Sequence, residues 1–359
     1  MINYEEILSF SAYELRQKEK EEIYVKYIKE LMMHHIQKCE EYRKFIELLD
    51  EKDEYCSVKD FPFLPVSIFK ELDLQSITDE EIFKTMTSSG TTGQKTSKIF
   101  LDKNTASNQQ KTLAAIMESY IGKKRLPMLI IDTEAVIKDR KMFSARGAGI
   151  LGFSIFGSHR MYALDENMQL KTEEIRLFLE KHAGEKIFVF GFTYMIWNFF
   201  YKVAKEKNIR FEIDNAIMIH GGGWKKLKDE AVDSATYRKC INSVSGISQI
   251  YDYYGMVEQT GCIYVECSEG YLHTSMYSDV IIRRAEDFSV CDIGEEGIVQ
   301  VVSLLPESYP GHSILTEDKG TLFGIDTCKC GKCGKYFKIH GRLKNAEIRG
   351  CSDTFERRV

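Results

Sequence analysis

The sequence has no run of about 18 consecutive apolar residues, the length a helix needs to cross a bilayer, so no membrane span is expected. Its N-terminus, Met1-Ile-Asn-Tyr-Glu-Glu6, lacks the basic stretch followed by apolar residues that marks a signal peptide. Neither sign of charge predominates: 49 basic residues face 54 acidic ones, for a net charge of −5. That balance argues against a nucleic acid or an anionic membrane as a partner recruited by bulk charge. There is no internal repeat and no low-complexity tract. Without a secretory signal, the ten cysteines read as thiols, a metal site or catalysis rather than a disulfide framework. A cytoplasmic location follows as the expectation. The 359 residues, 43% of them hydrophobic, suffice for one large domain or two with a real core.

What is present is concentrated first at Thr87 to Lys98, Thr-Ser-Ser-Gly-Thr-Thr-Gly-Gln-Lys-Thr-Ser-Lys. Ser88, Ser89, Thr91 and Thr92 supply hydroxyls around Gly90 and Gly93, and Lys95 and Lys98 follow. Glycine lets the backbone turn sharply and approach a ligand. Successive N–H groups in such a turn form a nest for anions. Hydroxyls add donors and lysines add charge, so the combination suits phosphate. It is not a Walker A loop, because Gln94 separates Gly93 from Lys95, and Gly-x-Gly-x-x-Gly is absent from the stretch. A flexible polar loop is the bland alternative.

Along the chain, residues 1–60 read as a helical segment. Ile28, Leu31, Met32, Ile36, Cys39, Tyr42, Phe45, Ile46 and Leu49 recur at helical spacing, with Lys and Glu between them. Asp60-Phe-Pro-Phe-Leu-Pro-Val66 breaks that pattern, and the main domain, 61–359, is expected to start there. Ile99–Leu101 reads as a strand that makes a strand–turn–strand with the loop. Thr105–Ile121 reads as a helix stopped by Gly122. Strands are expected at Leu126–Ile131, Glu185–Phe190 and Ala216–Ile219, with helices at Thr193–Lys207 and Lys225–Tyr237. This alternation over 61–250 predicts a mostly parallel α/β sheet with helices on both faces, with ligands beyond the carboxyl ends of the strands. From 251 to 359 the pattern becomes short antiparallel hairpins: Cys262–Glu266, Tyr271–His273, Asp279–Ile282 and Ile298–Val302.

Five stretches in order resemble the AMP-forming, acyl-adenylating enzymes. They are the loop from Thr87, Gly221-Gly222-Gly223, Tyr254-Gly255-Met-Val-Glu258, Glu317-Asp318, and Gly341-Arg342 with Gly350 closing its segment. The resemblance implies that the loop holds phosphates and that the glycine run lines the adenine pocket. Tyr254 would pack on adenine and Glu258 would help hold Mg2+. Asp318 would bind the ribose hydroxyls, and Arg342 would bind ribose or phosphate. Phe61-Pro-Phe-Leu-Pro-Val-x-x-Phe-Lys70, Gly255-Met-Val-Glu-Gln259 and Gly341-Arg-Leu-Lys-Asn-Ala-Glu-Ile-Arg-Gly-Cys351 further resemble the acyl-protein synthetases of bacterial luminescence, the LuxE type. That resemblance implies a core like the N-terminal domain of adenylating enzymes. It also implies ATP-dependent activation of a carboxylic acid, usually a fatty acid, and transfer to a C-terminal cysteine as a thioester that feeds a reductase.

The residues allow such chemistry. Joining a carboxylate to AMP gives it a good leaving group, and the loop N–H groups, Lys95, Lys98 and Mg2+ at Glu258 would neutralise the phosphates. Cys351 lies between Gly350 and Ser352; Arg349 nearby favours its thiolate and Asp353 opposes it. Its other reading is a small residue in a C-terminal strand. Most adenylating enzymes continue past the Gly-Arg segment into a mobile lid with a catalytic lysine, whereas this sequence ends at Val359. The expectation is a lid absent, truncated or supplied by a partner. An acyl- or aryl-CoA ligase, and a non-catalytic nucleotide-binding module, are the competing readings.

A second unusual stretch is Cys328-Lys-Cys330-Gly-Lys-Cys333-Gly. Close cysteines flanked by glycines suit a structural zinc knuckle. Glu266-Cys267-Ser-Glu-Gly-Tyr-Leu-His273 supplies a further pair and resembles a zinc-ligand segment of phenylacetate-CoA ligase-like enzymes. The expected set is Cys267, His273, Cys328 and Cys330, with Cys333 as substitute; reduced cysteines in a surface turn are the alternative. His34-His35 reads as structural. His220 reads as pocket-lining or core, and Phe190-Gly-Phe192 and Tyr194–Phe200 as core or as walls of an acyl pocket.

Overall fold

The structure, a computed structural model, describes residues 2–49, 54–88, 95–138 and 145–343. They form two compact units. The first takes the described residues up to Ser88, those from 95 to Ile116, and those from Gly255 onward; the second takes those of Met117–Tyr254.

The first unit opens with helices α1 (Tyr4–Ser9), α2 (Gln17–Lys38) and α3 (Glu40–Glu47). The apolar stripe expected for one helix is carried by two. Cys39 adopts φ −118°, ψ 109°, closing α2 through its N–H to the His35 carbonyl and starting α3. Tyr24, Ile28, Leu31 and Met32 are buried along α2. A two-residue strand, β1 (Leu64–Pro65), lies within the proline-containing break, and β2 (Lys84–Thr87) pairs antiparallel with β3 (Lys98–Leu101). The hairpin expected from the sequence is therefore present, with Ile99 and Leu101 inward and Lys98 outward.

The second unit is built on β4 (Leu126–Thr133), β5 (Gly157–Leu164), β6 (Ile187–Phe192), β7 (Ala216–Gly221) and β8 (Gln249–Tyr254). Their order is β8-β7-β6-β4-β5, parallel throughout. β6 reads Ile-Phe-Val-Phe-Gly-Phe and β7 Ala-Ile-Met-Ile-His-Gly, and both are buried along their whole length. A strand apolar on both faces belongs in a sheet covered on both sides. Thr193–Glu206 is helical, with a π-turn at Ile196–Tyr201 burying Trp197, Phe200 and Tyr201. The helix expected at Lys225–Tyr237 is displaced. A 3-10 stretch covers Lys225–Glu230, and the α-helix runs Ser234–Ser245. Asp233 accepts from the Thr236 N–H at 2.9 Å as its N-cap, and Gly246 at φ 79° ends it.

The chain then returns to the first unit with β9 (Tyr264–Glu266), β10 (Leu272–His273), β11 (Ser278–Arg283), β12 (Glu296–Ser303), β13 (Ser313–Ile325) and β14 (Lys335–Arg342). Their order is β11-β12-β13-β14-β10-β9, antiparallel, with β1 added parallel to β13 at Ile314–Leu315. Four of these strands match the expected hairpins; β13 and β14 are additions. Among the described residues no helix is long and apolar enough to cross a membrane.

Candidate active site

Glu258 sits in a single turn, Val257–Gln259, and is buried. The turn is pinned from three sides. Gln259 Nε2 donates to the carbonyls of Gly311 at 2.8 Å and Val301 at 3.2 Å, and Tyr309 OH donates to the Glu258 carbonyl at 2.9 Å. Gly261 follows at φ +91°, where a Cβ would lie 2.6 Å from the Gln109 carbonyl oxygen, so only glycine fits. The carboxylate itself accepts from Ser97 Oγ at 2.6 Å. Ser97 is fully buried, and its N–H donates to Ser88 Oγ at 2.8 Å while its carbonyl accepts from the Ser88 N–H at 3.0 Å. The hydroxyl-rich stretch and the Tyr-Gly-x-x-Glu motif, 161 residues apart, are thus joined by a charge-assisted hydrogen bond.

The lysines of the stretch stand at the surface. Lys95 Nζ pairs with Glu71 at 2.5 Å and Lys98 Nζ with Asp73 at 3.2 Å, all four side chains being at least half exposed. Exposed pairs of this kind are worth about 0–1 kcal/mol, so each lysine can be exchanged to another anion at little cost. Thr87 ends β2 opposite Lys98. Ser89, Gly90, Thr91, Thr92 and Gly93 lie outside the described residues, as does Cys351.

Asp318 and Arg342 face each other across β13 and β14. Arg342 reaches Asp318 at 3.7 Å and Glu317 at 3.6 Å, all three half-buried. In the second unit, Gly221 ends β7 at the carboxyl edge of the parallel sheet. A Cβ on it would meet the Tyr253 ring at 2.6 Å and its carbonyl at 2.8 Å. Gly222 and Gly223 follow at φ +79° and +64°, and Tyr254 closes β8 at the same edge. His220, just before Gly221 on β7, is buried. Thr193 Oγ1 donates to the Gly221 carbonyl at 3.1 Å, which leaves it to accept from His220 Nδ1 at 2.9 Å. Burial, with Arg238 nearby, presses His220 down to about 3, so the imidazole is neutral. Gly255, Glu258, Asp318 and Arg342 belong to the first unit, and Gly221–Gly223 and Tyr254 to the second.

The expected cysteine cluster also assembles. The β9–β10 hairpin, turned by Gly270 at φ 77°, carries Cys267 and His273. The β13–β14 connection, turned by Gly331 at φ 81°, carries Cys328 and Cys330. One donor atom from each of the four falls within 4.8 Å of all the others; Cys267 Sγ to Cys328 Sγ is 3.8 Å and Cys330 Sγ to His273 Nε2 is 3.4 Å. Three thiols and one imidazole, supplied as two pairs by two hairpin turns, are the donor set of a closed tetrahedral zinc site. Cys333, the substitute, is outside this group; its N–H donates to the Tyr13 carbonyl at 3.1 Å.

Residues 2–359 match the family described as "Acyl-protein synthetase, LuxE". The chain belongs to this family. Among curated relatives, the long-chain-fatty-acid–luciferin-component ligase of Aliivibrio fischeri is 24% identical over 314 residues, covering 84% of this chain and 80% of that protein. The protein of the same name from Vibrio harveyi is 20% identical over 346 residues, covering 93% and 87%. Of solved structures, an open conformation of 2-hydroxyisobutyryl-CoA ligase in complex with 2-HIB-AMP and CoA superposes with a TM-score of 0.70 at 13% identity, over 93% of this chain and 72% of that one. That likeness is one of fold. As an acyl-protein synthetase the chain is an AMP-forming ligase, in accord with the reading of the motifs.

One feature of this synthetase escapes a motif search, and one motif match is purely structural. Ser97 lies within the hydroxyl-rich stretch, and only folding reveals that it reaches Glu258. Gly147-Ala-Gly149-Ile-Leu-Gly152 has the Gly-x-Gly-x-x-Gly form elsewhere in the chain, yet it lies within helix Ala145–Ser154. There Gly149 makes room for the Phe192 ring, 3.0 Å from where its Cβ would be.

Proposed function

We propose that the chain activates a fatty acid with ATP and then carries the acyl group on its own Cys351. The acid's carboxylate attacks the α-phosphorus of ATP. The bond from that phosphorus to the bridging oxygen breaks, releasing pyrophosphate and leaving an acyl adenylate. The Cys351 thiolate then attacks the acyl carbon and AMP departs with the electron pair, leaving a thioester. The observation that carries this reading is the buried Ser97–Glu258 contact, which ties the phosphate-type stretch to the carboxylate of the Tyr-Gly-x-x-Glu motif.

In this reading Thr87, Ser88 and the stretch through Gly93 hold the phosphates, and Lys95 and Lys98 leave their surface acids to join them. Glu258, oriented by Ser97, holds Mg2+, which when bound offsets phosphate charge. Gly221–Gly223 and Tyr254 receive adenine. Asp318 accepts from the ribose hydroxyls, with Arg342 beside it. Cys267, His273, Cys328 and Cys330 hold one structural zinc, which when bound ties two hairpins together and takes no part in the transfer. A cytoplasmic location and a protein that takes over the acyl group, such as a reductase, complete the proposal. The names of the luciferin-component ligases from Aliivibrio fischeri and Vibrio harveyi support the fatty acid.

The test is covalent labelling. With ATP, Mg2+ and a radiolabelled fatty acid, the wild-type chain gains a hydroxylamine-labile acyl group. Cys351→Ser loses it while pyrophosphate exchange persists. A label that survives the substitution removes Cys351 from the pathway; product formed only with CoA turns the reading toward a CoA ligase.

A further inference from the structure

We infer that the metal-bound knuckle between β13 and β14 is a clasp that holds the start of helix α2, by presenting Asp326 as that helix's cap. This rests on the zinc reading above. Asp326 stands two residues before Cys328 in a left-handed conformation, φ 55°. Its N–H donates to the Gly334 carbonyl at 2.9 Å and its carboxylate accepts from the Gly334 N–H at 2.7 Å. These two bonds close the loop that contains Cys328, Cys330 and Cys333. The same carboxylate accepts from the Gln17 N–H, the first residue of α2, at 3.0 and 3.2 Å. A helix start leaves free N–H groups, and Arg16 at the N-cap position has a side chain that cannot accept from them. The acceptor therefore comes from 309 residues away.

The rest of the knuckle touches the same turn. Cys333 N–H donates to the Tyr13 carbonyl at 3.1 Å, and Lys332 Nζ lies 4.1 Å from the Tyr13 ring centroid. The Tyr13 ring stands edge-on to His273, one of the four metal ligands, at 6.3 Å. Residues 327–333 are all exposed or half-buried, so no apolar anchor fixes the loop. Ligand bonds to a metal are what would give it one shape. Farther along, α2 is held by other means: Tyr24 OH donates to the Met276 carbonyl at 3.1 Å, and Ile28, Leu31 and Met32 are buried. At the helix start the Gln17 side chain is held apart from the knuckle, Nε2 donating to Asp279 Oδ2 at 2.9 Å, so the clasp governs the backbone of residues 13–19 and leaves 24–38 to the core.

The test compares amide hydrogen exchange of the full, reduced chain loaded with zinc and after stripping by a chelator. Stripping is expected to speed exchange at 13–19 about tenfold, the loss of one good helix cap, to leave 24–38 unchanged, and to be reversed by Zn2+ alone. Asp326→Ala is expected to keep about one zinc per chain and to show the same fast exchange at 13–19. Unchanged exchange at 13–19 in the stripped chain, or in zinc-bearing Asp326→Ala, overturns the clasp alone. A folded chain that neither carries nor takes up zinc overturns the zinc reading and the clasp with it.

Discussion

At the scale of single residues, the account turns on a carboxylate and the hydroxyl that aims it. A buried carboxylate costs free energy unless hydrogen-bonded, and Ser97 supplies a 2.6 Å bond to Glu258. Glu258→Gln removes the charge that would hold a cation and should lower acid-dependent pyrophosphate exchange by about 100-fold or more. Ser97→Ala removes a hydrogen bond to a charged group, worth roughly 1.5–3 kcal/mol, and should cost about tenfold in the same assay. Equal, wild-type exchange in both variants would mean that this contact serves only packing. Glu258, Asp318 and Arg342 were legible as residues because each sits in a short motif with its own chemistry. Ser97 was not, because its role is set by a contact across 161 positions rather than by neighbours in the chain.

At the scale of elements, legibility followed the strength of the local pattern. β4, β6 and β7 are continuous apolar runs, and strands of that kind announce themselves. β13 does not: Thr-Glu-Asp-Lys-Gly interrupts its apolar residues, and it pairs with strands on both sides through bulges that break the alternation. The helix before β8 was misplaced because Lys225–Glu230 carries a helical composition, while the real start is the Asp233 cap. The glycine run after β7 was found by composition, but its reason is steric. Gly221→Ala would push a methyl group to within 2.6 Å of the Tyr253 ring. Overpacking of that kind costs roughly 1–3 kcal/mol, to be read as a lower urea midpoint. Pyrophosphate exchange should fall further than stability explains, since the same residue borders the proposed adenine site. A variant as stable and active as wild type would show that β7 and β8 tolerate separation there.

At the scale of the whole molecule, the chain leaves the first unit after Ile116 and rejoins it at Gly255. No local pattern encodes that return. One consequence for stability lies in the first unit, where His35 and His312 stack with centroids 5.1 Å apart. Burial presses His312 down to about 3, and burial, with His312 and His34 alongside, holds His35 well below its ordinary value. An unfolded histidine titrates near 6.5. Below that value and down to about 3 the unfolded chain binds protons that the folded chain refuses at His312, so stability is full above pH 6.5 and falls as the solution is acidified. The slope is about 1.4 kcal/mol per pH unit for each such group. His312→Gln should therefore reduce the loss between pH 6.5 and 5 by about 2 kcal/mol, measured by urea unfolding at both pH values. An unaltered loss would place the acid sensitivity elsewhere.

The most direct measurement for the whole account is exchange of radiolabelled pyrophosphate into ATP by the purified wild-type chain, across a panel of carboxylic acids. The account predicts exchange that requires both Mg2+ and an acid and is strongest with long-chain fatty acids. The absence of acid-dependent exchange with every member of the panel, from a folded chain with ATP and Mg2+ present, would contradict it.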